Sequence, residues 1–370
     1  MNKILIFVLF VSIIIADDDK KISLQINNFN KTSWWSEKNN SGIEARKSYL
    51  SFLYSKKINK FNFVFNSFLT KNEIIFGESF INFDFTYKAN FKFGRFYRDF
   101  SPYLNDNLSS GSLLISKNAL PMPKIGFYGE FIPKKNQKLT FNYGIYHGIF
   151  DSNTTYSKSP YLHEKFIYLT RKNKVDFSVG LVHEAIWGGS SFRDGNYPDS
   201  FNDFLKIFIS ADGKYYHNNT PHDNALGNHL GIWDFFIRKN NSNNSLKFYY
   251  QHLFEDTSGL RFANRTDGLW GFEFIDHLKK INYLVEFLNT KNQDRDPPYV
   301  DESYYNHTEY TLGWNYKGRV IGNPFIDSSK PNPLQVIHLG VESFDSDNIN
   351  FKILASKRVD VHDNIKYSIN

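Results

Sequence analysis

Cysteine is absent from the 370 residues, and only two methionines occur. That absence excludes a disulfide scaffold, thiolate metal centres, a cysteine nucleophile and a lipidated cysteine behind a leader. Stability must come from packing and backbone pairing. Long hydrophobic runs are also scarce. One stands at the N-terminus, Ile4 to Ile15, behind Lys3 and ahead of Ala16, Asp17, Asp18 and Asp19. At about a dozen residues it is shorter than the roughly 20 that a spanning helix needs. It has the layout of a secretory leader, with cleavage expected after Ala16 and the mature chain over 17–370. No later apolar run reaches transmembrane-helix length. After export the chain is therefore either soluble or a barrel.

Clustered charge is missing as well. Lys and Arg total 44 against 38 Asp and Glu, a net charge of +6 with an isoelectric point near 9.0, but the bases are spread evenly along the chain. Nucleic acid is not the expected partner, because a basic stripe is its footprint. A basic lumen or rim would instead attract an acidic polysaccharide. No glycine-rich phosphate loop and no G-x-S-x-G elbow occurs, since Ser110-Gly111-Ser112 lacks the frame. His183-Glu184 opens like a helical zinc motif, but Trp187 stands where the second histidine is needed, and Ile167 does so after His163-Glu164. In a strand His183 and Glu184 would point to opposite faces. Glu255 and Asp256 are adjacent carboxylates of the kind glycosidases use, but their spacing reads as loop charge. No metal, no cofactor and no enzymatic activity are expected.

Aromatic residues are plentiful, at 18%, beside a mean hydropathy of −0.47. Polar and aromatic residues are interleaved with a period of two. Phe61, Phe63 and Phe65 show it, as do Ile81, Phe83, Phe85 and Tyr87, then Phe91 and Phe93, and Leu139, Phe141, Tyr143 and Ile145. Val175, Phe177, Val179 and Leu181 continue it, followed by Phe272 and Phe274, Ile337, Leu339 and Val341, and Phe351 and Ile353. This is the pattern of strands with one apolar face. No stretch carries a sustained helical period. Turn residues such as Lys172-Asn173-Lys174, Asn240 to Ser245 and Asp345 to Asn348 separate the strands. Longer loops are expected at Arg98 to Ser110, Ser152 to Pro160, Gly188 to Asp203, Lys214 to Gly227, Thr290 to Tyr304 and Asn323 to Pro333.

The expected fold is all-β, an antiparallel transmembrane β-barrel of about 16 to 18 strands with no separate helical domain. A propeller would repeat every 40 to 50 residues or so, and no such repeat occurs. A barrel closes its edges, as lipid demands. The chain ends Tyr367-Ser368-Ile369-Asn370, without the final aromatic residue of many bacterial barrels.

Five segments in order carry a family likeness: Ser110 to Pro123, Tyr161 to Lys165, Leu181 to Gly189, Leu226 to Phe235 and Asn264 to Gly271. A sixth runs from Tyr304 to Ile321, with Gly313-Trp314 and Gly318-Arg319. Together they resemble the Wzi-type capsule assembly proteins. The resemblance implies an outer-membrane barrel that acts as a lectin for capsular or related surface polysaccharide, and not an enzyme. Partners on that reading are the polysaccharide, outer-membrane lipid and, during biogenesis, the barrel-assembly machinery. Longer members carry an N-terminal helical bundle, whereas Asp17 to Asn107 reads here as strands.

Sugar recognition needs flat aromatic faces and groups that bond hydroxyls or acidic substituents. The candidates are Trp187, Trp233, Asp234, Arg261, Arg265, Asp267 and Trp270, as a groove at the extracellular mouth. The competing interpretation is an aromatic girdle for the tryptophans and lumen pairing for the charges. A passive porin is the alternative function, for which strand alternation alone suffices.

Overall fold

The computed structural model describes residues 14–17, 20–25, 38–44, 47–86, 88–98, 104–211, 225–255, 257–293, 304–330, 332–344, 350–359 and 365–369. Most of the expected leader, the turn at 345–348 and Asp256 lie outside the described residues. The strands begin with β1 (Ile14–Asp17), β2 (Lys20–Gln25), β3 (Tyr49–Ile58), β4 (Phe61–Thr70), β5 (Ile74–Phe76), β6 (Ser79–Thr86) and β7 (Ala89–Arg95). After β8 (Pro123–Phe131) and β9 (Leu139–Ile149) come a short β10 (Tyr156–Lys158), β11 (Tyr161–Arg171) and β12 (Val175–Trp187). Two loop pieces, β13 (Ser190–Ser191) and β14 (Gly195–Asn196), lead to helix α1 (Phe201–Ile209). There follow β15 (Asn228–Asn240), β16 (Asn244–Phe254), the helical turn α2 (Thr257–Leu260), β17 (Gly268–Asp276) and β18 (Ile281–Asn289). A hairpin of β19 (Asn315–Tyr316) and β20 (Arg319–Val320) precedes β21 (Gln335–Ser343), β22 (Lys352–Arg358) and β23 (Ile365–Ile369).

One antiparallel sheet takes in all of these strands except the two small loop sheets. Each strand pairs with its neighbours in sequence. β5 and β6 both pair with β4 and act as one strand interrupted at Gly77 and Glu78. With those two joined, and β1 set apart because it straddles the expected cleavage point, the 18-stranded sheet reduces to 16 strands. The meander has unequal ends. Tight turns join β3 to β4 at 59–60, β11 to β12 at 172–174 and β15 to β16 at 241–243, whereas the other end carries 96–122, 188–227, 255–267 and 290–334. In outer-membrane barrels the short turns face the periplasm and the long loops face outward.

The apolar face of the sheet is the exposed one. Phe93, Phe177 and Phe272, all from the alternating pattern, are 56%, 45% and 45% exposed. Their neighbours on the other face include Glu164, Glu184 and Gln251, each fully buried. A water-soluble sheet places these the other way round. Lipid is the solvent that reverses the preference.

The buried face encloses a segment of its own chain. Asn105 donates to Glu273 on β17 at 2.9 Å and Glu342 on β21 at 3.2 Å, the Leu113 N–H donates to Gln251 on β16 at 3.0 Å, and Arg98 pairs with Glu184 on β12. One stretch of chain reaches strands so far apart only because the sheet curves around it.

Helix α1 was not expected. Its capping box was nevertheless legible, because Ser200 accepts from the Asp203 N–H while Asp203 accepts from the Ser200 N–H. Nine residues are too few to establish a helical period against the surrounding alternation.

Candidate functional site

Two inward-folded segments, 104–122 and 304–330 with 332–334, lie at the long-loop end of the barrel, and they interlock. The Trp314 indole N–H donates to the Leu114 carbonyl at 2.8 Å, and Tyr305 Oη donates to the Leu113 carbonyl at 2.5 Å. The Ser116 N–H donates to Ile321, Asn118 Nδ2 to Val320, and Asn323 Nδ2 to Gly111. Trp314, Tyr305, Leu113 and Leu114 are fully buried at the centre of the largest apolar cluster. Gly313 has φ +59°, and a Cβ there would stand 2.0 Å from the Tyr305 carbonyl, so only glycine fits. Two of the family-like segments, Ser110 to Pro123 and Tyr304 to Ile321, are therefore the plug. Their residues match each other's backbone.

One buried ion pair and two hydrogen bonds to Glu286 fasten the plug to the wall, and a second buried pair joins β8 to β11 beside them. Arg98 meets Glu184, and beside it Lys124 Nζ sits 3.1 and 3.2 Å from the two oxygens of Glu164. Ser109 Oγ and the Ser110 N–H donate to Glu286 at 2.6 and 2.7 Å. His183 and Glu184 do point to opposite faces, His183 outward toward α1 and Glu184 inward to Arg98.

Over the plug runs a polar groove. On one side of the β19–β20 hairpin is a cleft of about 920 Å³, bounded by Lys38, Gly42, Glu44 and Lys47, by Glu73 and β5, by Arg95 and Asn118, and by 324–329 with Asn332. Five basic side chains line it, Lys38, Lys47, Arg95, Lys317 and Arg319, against three acidic ones, Glu44, Glu73 and Asp327. On the other side is a cleft of about 490 Å³ lined by Ser152, Asn153, Thr154, Thr155, Thr311 and Tyr316. The two clefts share Asn315, Lys317, Gly318, Ser328 and Ser329, so they flank the hairpin side by side. Arg95 Nη1 is held by Tyr316 Oη at 3.2 Å, and Lys317 pairs with Asp151 at 2.8 Å. Amide, hydroxyl and guanidinium groups in this density suit a hydroxylated, acidic chain.

The sequence-derived candidates fall into three places, and none of the seven lines this groove. Trp233 and Trp270 lie on the outer face, their indole N–H groups donating to the carbonyls of Leu260 and Thr266 at 3.0 and 3.1 Å. Trp270 stacks on Tyr250 at 3.7 Å. Trp187 is also on that face, buried beneath α1 with Phe204 5.5 Å away. Asp234 points inward and accepts from Tyr168 Oη at 2.7 Å.

Arg261, Arg265 and Asp267 share the 255–267 loop at the plugged end. Asp267 is buried and accepts from Tyr304 Oη at 2.7 Å, the Asn292 N–H at 3.0 Å and Asn289 Nδ2 at 3.0 Å, tying that loop to the plug. Burial pushes its carboxyl up to about 6, against the opposing pull of the Tyr304 and Asn292 bonds. Among the described residues no cluster of three or more His, Asp or Glu is arranged to hold a metal. Arg319 and the Gly318 turn stood in the matching segments, but nothing in the sequence indicated that Arg95, from β7, would join them.

The architecture defines a class, an antiparallel β-barrel whose outer face is apolar and whose lumen is filled by its own loops. The chain belongs to the capsule assembly protein Wzi family, whose profile matches residues 20–338. No curated protein matches it. Among solved structures it is similar to OccD3 (OpdP) of Pseudomonas aeruginosa, at 11% identity over 87% of this chain and 81% of that one with a TM-score of 0.32. OccK11 (OpdR) of the same organism is 7% identical over 88% of each chain, with a TM-score of 0.35. For OccK5 (OpdH) the figures are 7%, 95% and 90%, and 0.34. The likeness is loose in all three.

Proposed function

We propose that this protein resides in the outer membrane, exported by a leader cleaved after Ala16, and holds capsular or a related acidic surface polysaccharide to the cell by non-covalent binding alone. The groove over the plug is the observation that carries this reading. It lies at the long-loop end, it is lined by five bases against three acids, and its floor is the interlocked plug. A lumen occupied by the chain's own segments also favours binding over the passage of solutes that a passive porin requires. Its other partners on this reading are outer-membrane lipid and, during biogenesis, the barrel-assembly machinery, and it carries out no catalysis.

The test is saturable binding of the purified protein in detergent to the host's own capsular polysaccharide, with capsule retention measured after deletion of the gene. Absence of binding together with unchanged retention overturns the proposal. Steady conductance of the wild-type protein in planar bilayers would favour the porin.

A further inference from the structure

Helix α1 lies against the outside of the barrel. Phe204 packs on His147, His163 and Trp187 at ring distances of 5.6, 5.4 and 5.5 Å, and these side chains belong to the outer faces of β9, β11 and β12. Ser210, which caps the helix, bonds His183 Nε2 at 2.9 Å, and Lys165 Nζ donates to the Phe208 carbonyl. The helix is thus fixed to the wall at the long-loop end of the sheet.

At about 100° per residue its side chains fall into three successive arcs. Ile207, fully buried, and Phe204 face the wall. Next come Phe208, Phe201, Leu205 and Ile209, all exposed, with Phe201 at 73% and Ile209 at 70%. Beyond them stand Asn202, Lys206 and Asp203. A helix held only by its wall would carry polar residues on the middle arc. The exposed apolar arc continues instead the apolar outer surface of the strands below, where Ile145, Ile149 and Ile167 are also exposed.

We infer that α1 is an interfacial helix seated in the outer leaflet of the bilayer. Its apolar arc enters the acyl chains, and its polar arc lies among the headgroups, where Lys206 meets their phosphates. The strands carry the protein through the membrane, and α1 sets its height in it. That height fixes how far the mouth groove stands above the lipid. The inference rests on the outer-membrane placement proposed above.

Because the chain has no cysteine, a single introduced one can be spin-labelled without background. The variants are Leu205→Cys, Ile209→Cys, Phe201→Cys and Lys206→Cys, with Ile167→Cys on the outer face of β11 as the reporter of barrel insertion. Each is reconstituted into phosphatidylcholine vesicles, and accessibility to oxygen, which concentrates in the bilayer, is compared with that to a water-soluble nickel chelate. The expected result is an oxygen-to-nickel ratio several-fold higher at positions 201, 205 and 209 than at 206. A lipid signature at 167 with an aqueous one at 201, 205 and 209 overturns the inference and leaves the barrel placement standing. An aqueous signature at 167 itself overturns both.

Discussion

Trp314 donates its indole N–H to the carbonyl of Leu114 at 2.8 Å, joining stretches of chain 200 residues apart at the centre of the plug. The bond links the two segments that fold into the lumen. It makes the state of the lumen a property of side-chain packing and not of strand number.

Trp314→Ala is expected to loosen the plug. Removing a fully buried tryptophan costs about 3–5 kcal/mol and leaves the Leu114 carbonyl without its donor. The strands should still assemble, since their ladder does not use this residue. Planar-bilayer conductance should rise from near silence, while the heat-modifiable migration of the folded barrel persists. A silent variant with unchanged thermal unfolding would show that closure is independent of this contact.

The Arg98–Glu184 pair is buried on both sides, so removing one partner strands the other. Arg98→Ala should destabilise the protein by about 3–5 kcal/mol, the penalty for an uncompensated buried carboxylate. Arg98→Met combined with Glu184→Gln should recover much of that loss. Thermal unfolding in detergent separates the cases. Equal destabilisation by the single and double variants would mean that the charges matter less than the shape.

Asp267 gives the plugged end a pH dependence. Its folded-state carboxyl titrates at about 6, above its usual value near 3.8, because burial favours the neutral form. A raised value means that the contribution to stability is complete below about 4 and is lost as pH rises through about 6. Hydrogen-exchange protection factors, which divide out the base-catalysed rise of the intrinsic rate, should therefore be larger at pH 4.5 than at pH 7.5 in residues 257–267 and around Asn292. Asp267→Asn should flatten that difference, and an unchanged profile in this variant would assign the dependence elsewhere.

Lys317 and Arg319 flank the hairpin that the two clefts share, and the Lys317–Asp151 pair is largely solvent-exposed. Such a pair contributes about 0–1 kcal/mol, so Lys317→Ala should leave folding intact. Lys317→Ala and Arg319→Ala are each expected to weaken capsule binding, whereas Trp270→Ala, on the outer face, should leave it unchanged. Polysaccharide affinity measured at low and moderate salt reads the effect, since charge-mediated binding weakens as salt is added. Loss of binding in Trp270→Ala alone would move the site to the rim that the tryptophans occupy.

The sequence by itself determined the class of this protein. A side chain's face on a strand is set by parity, so Phe91, Phe93, Phe177 and Phe272 announced an apolar face without any knowledge of their partners. The strand number of 16 falls within the expected 16 to 18 for the same reason. Tertiary structure alone decided which face is buried, what fills the interior and where the charged groove lies. Those outcomes depend on contacts such as Arg95 with Tyr316, separated by 221 residues, and Ser110 with Glu286, separated by 176. Local periodicity carries no information about such distances. The plug segments were visible only as an ordered set of motifs, because a loop that packs against another loop has no period of its own.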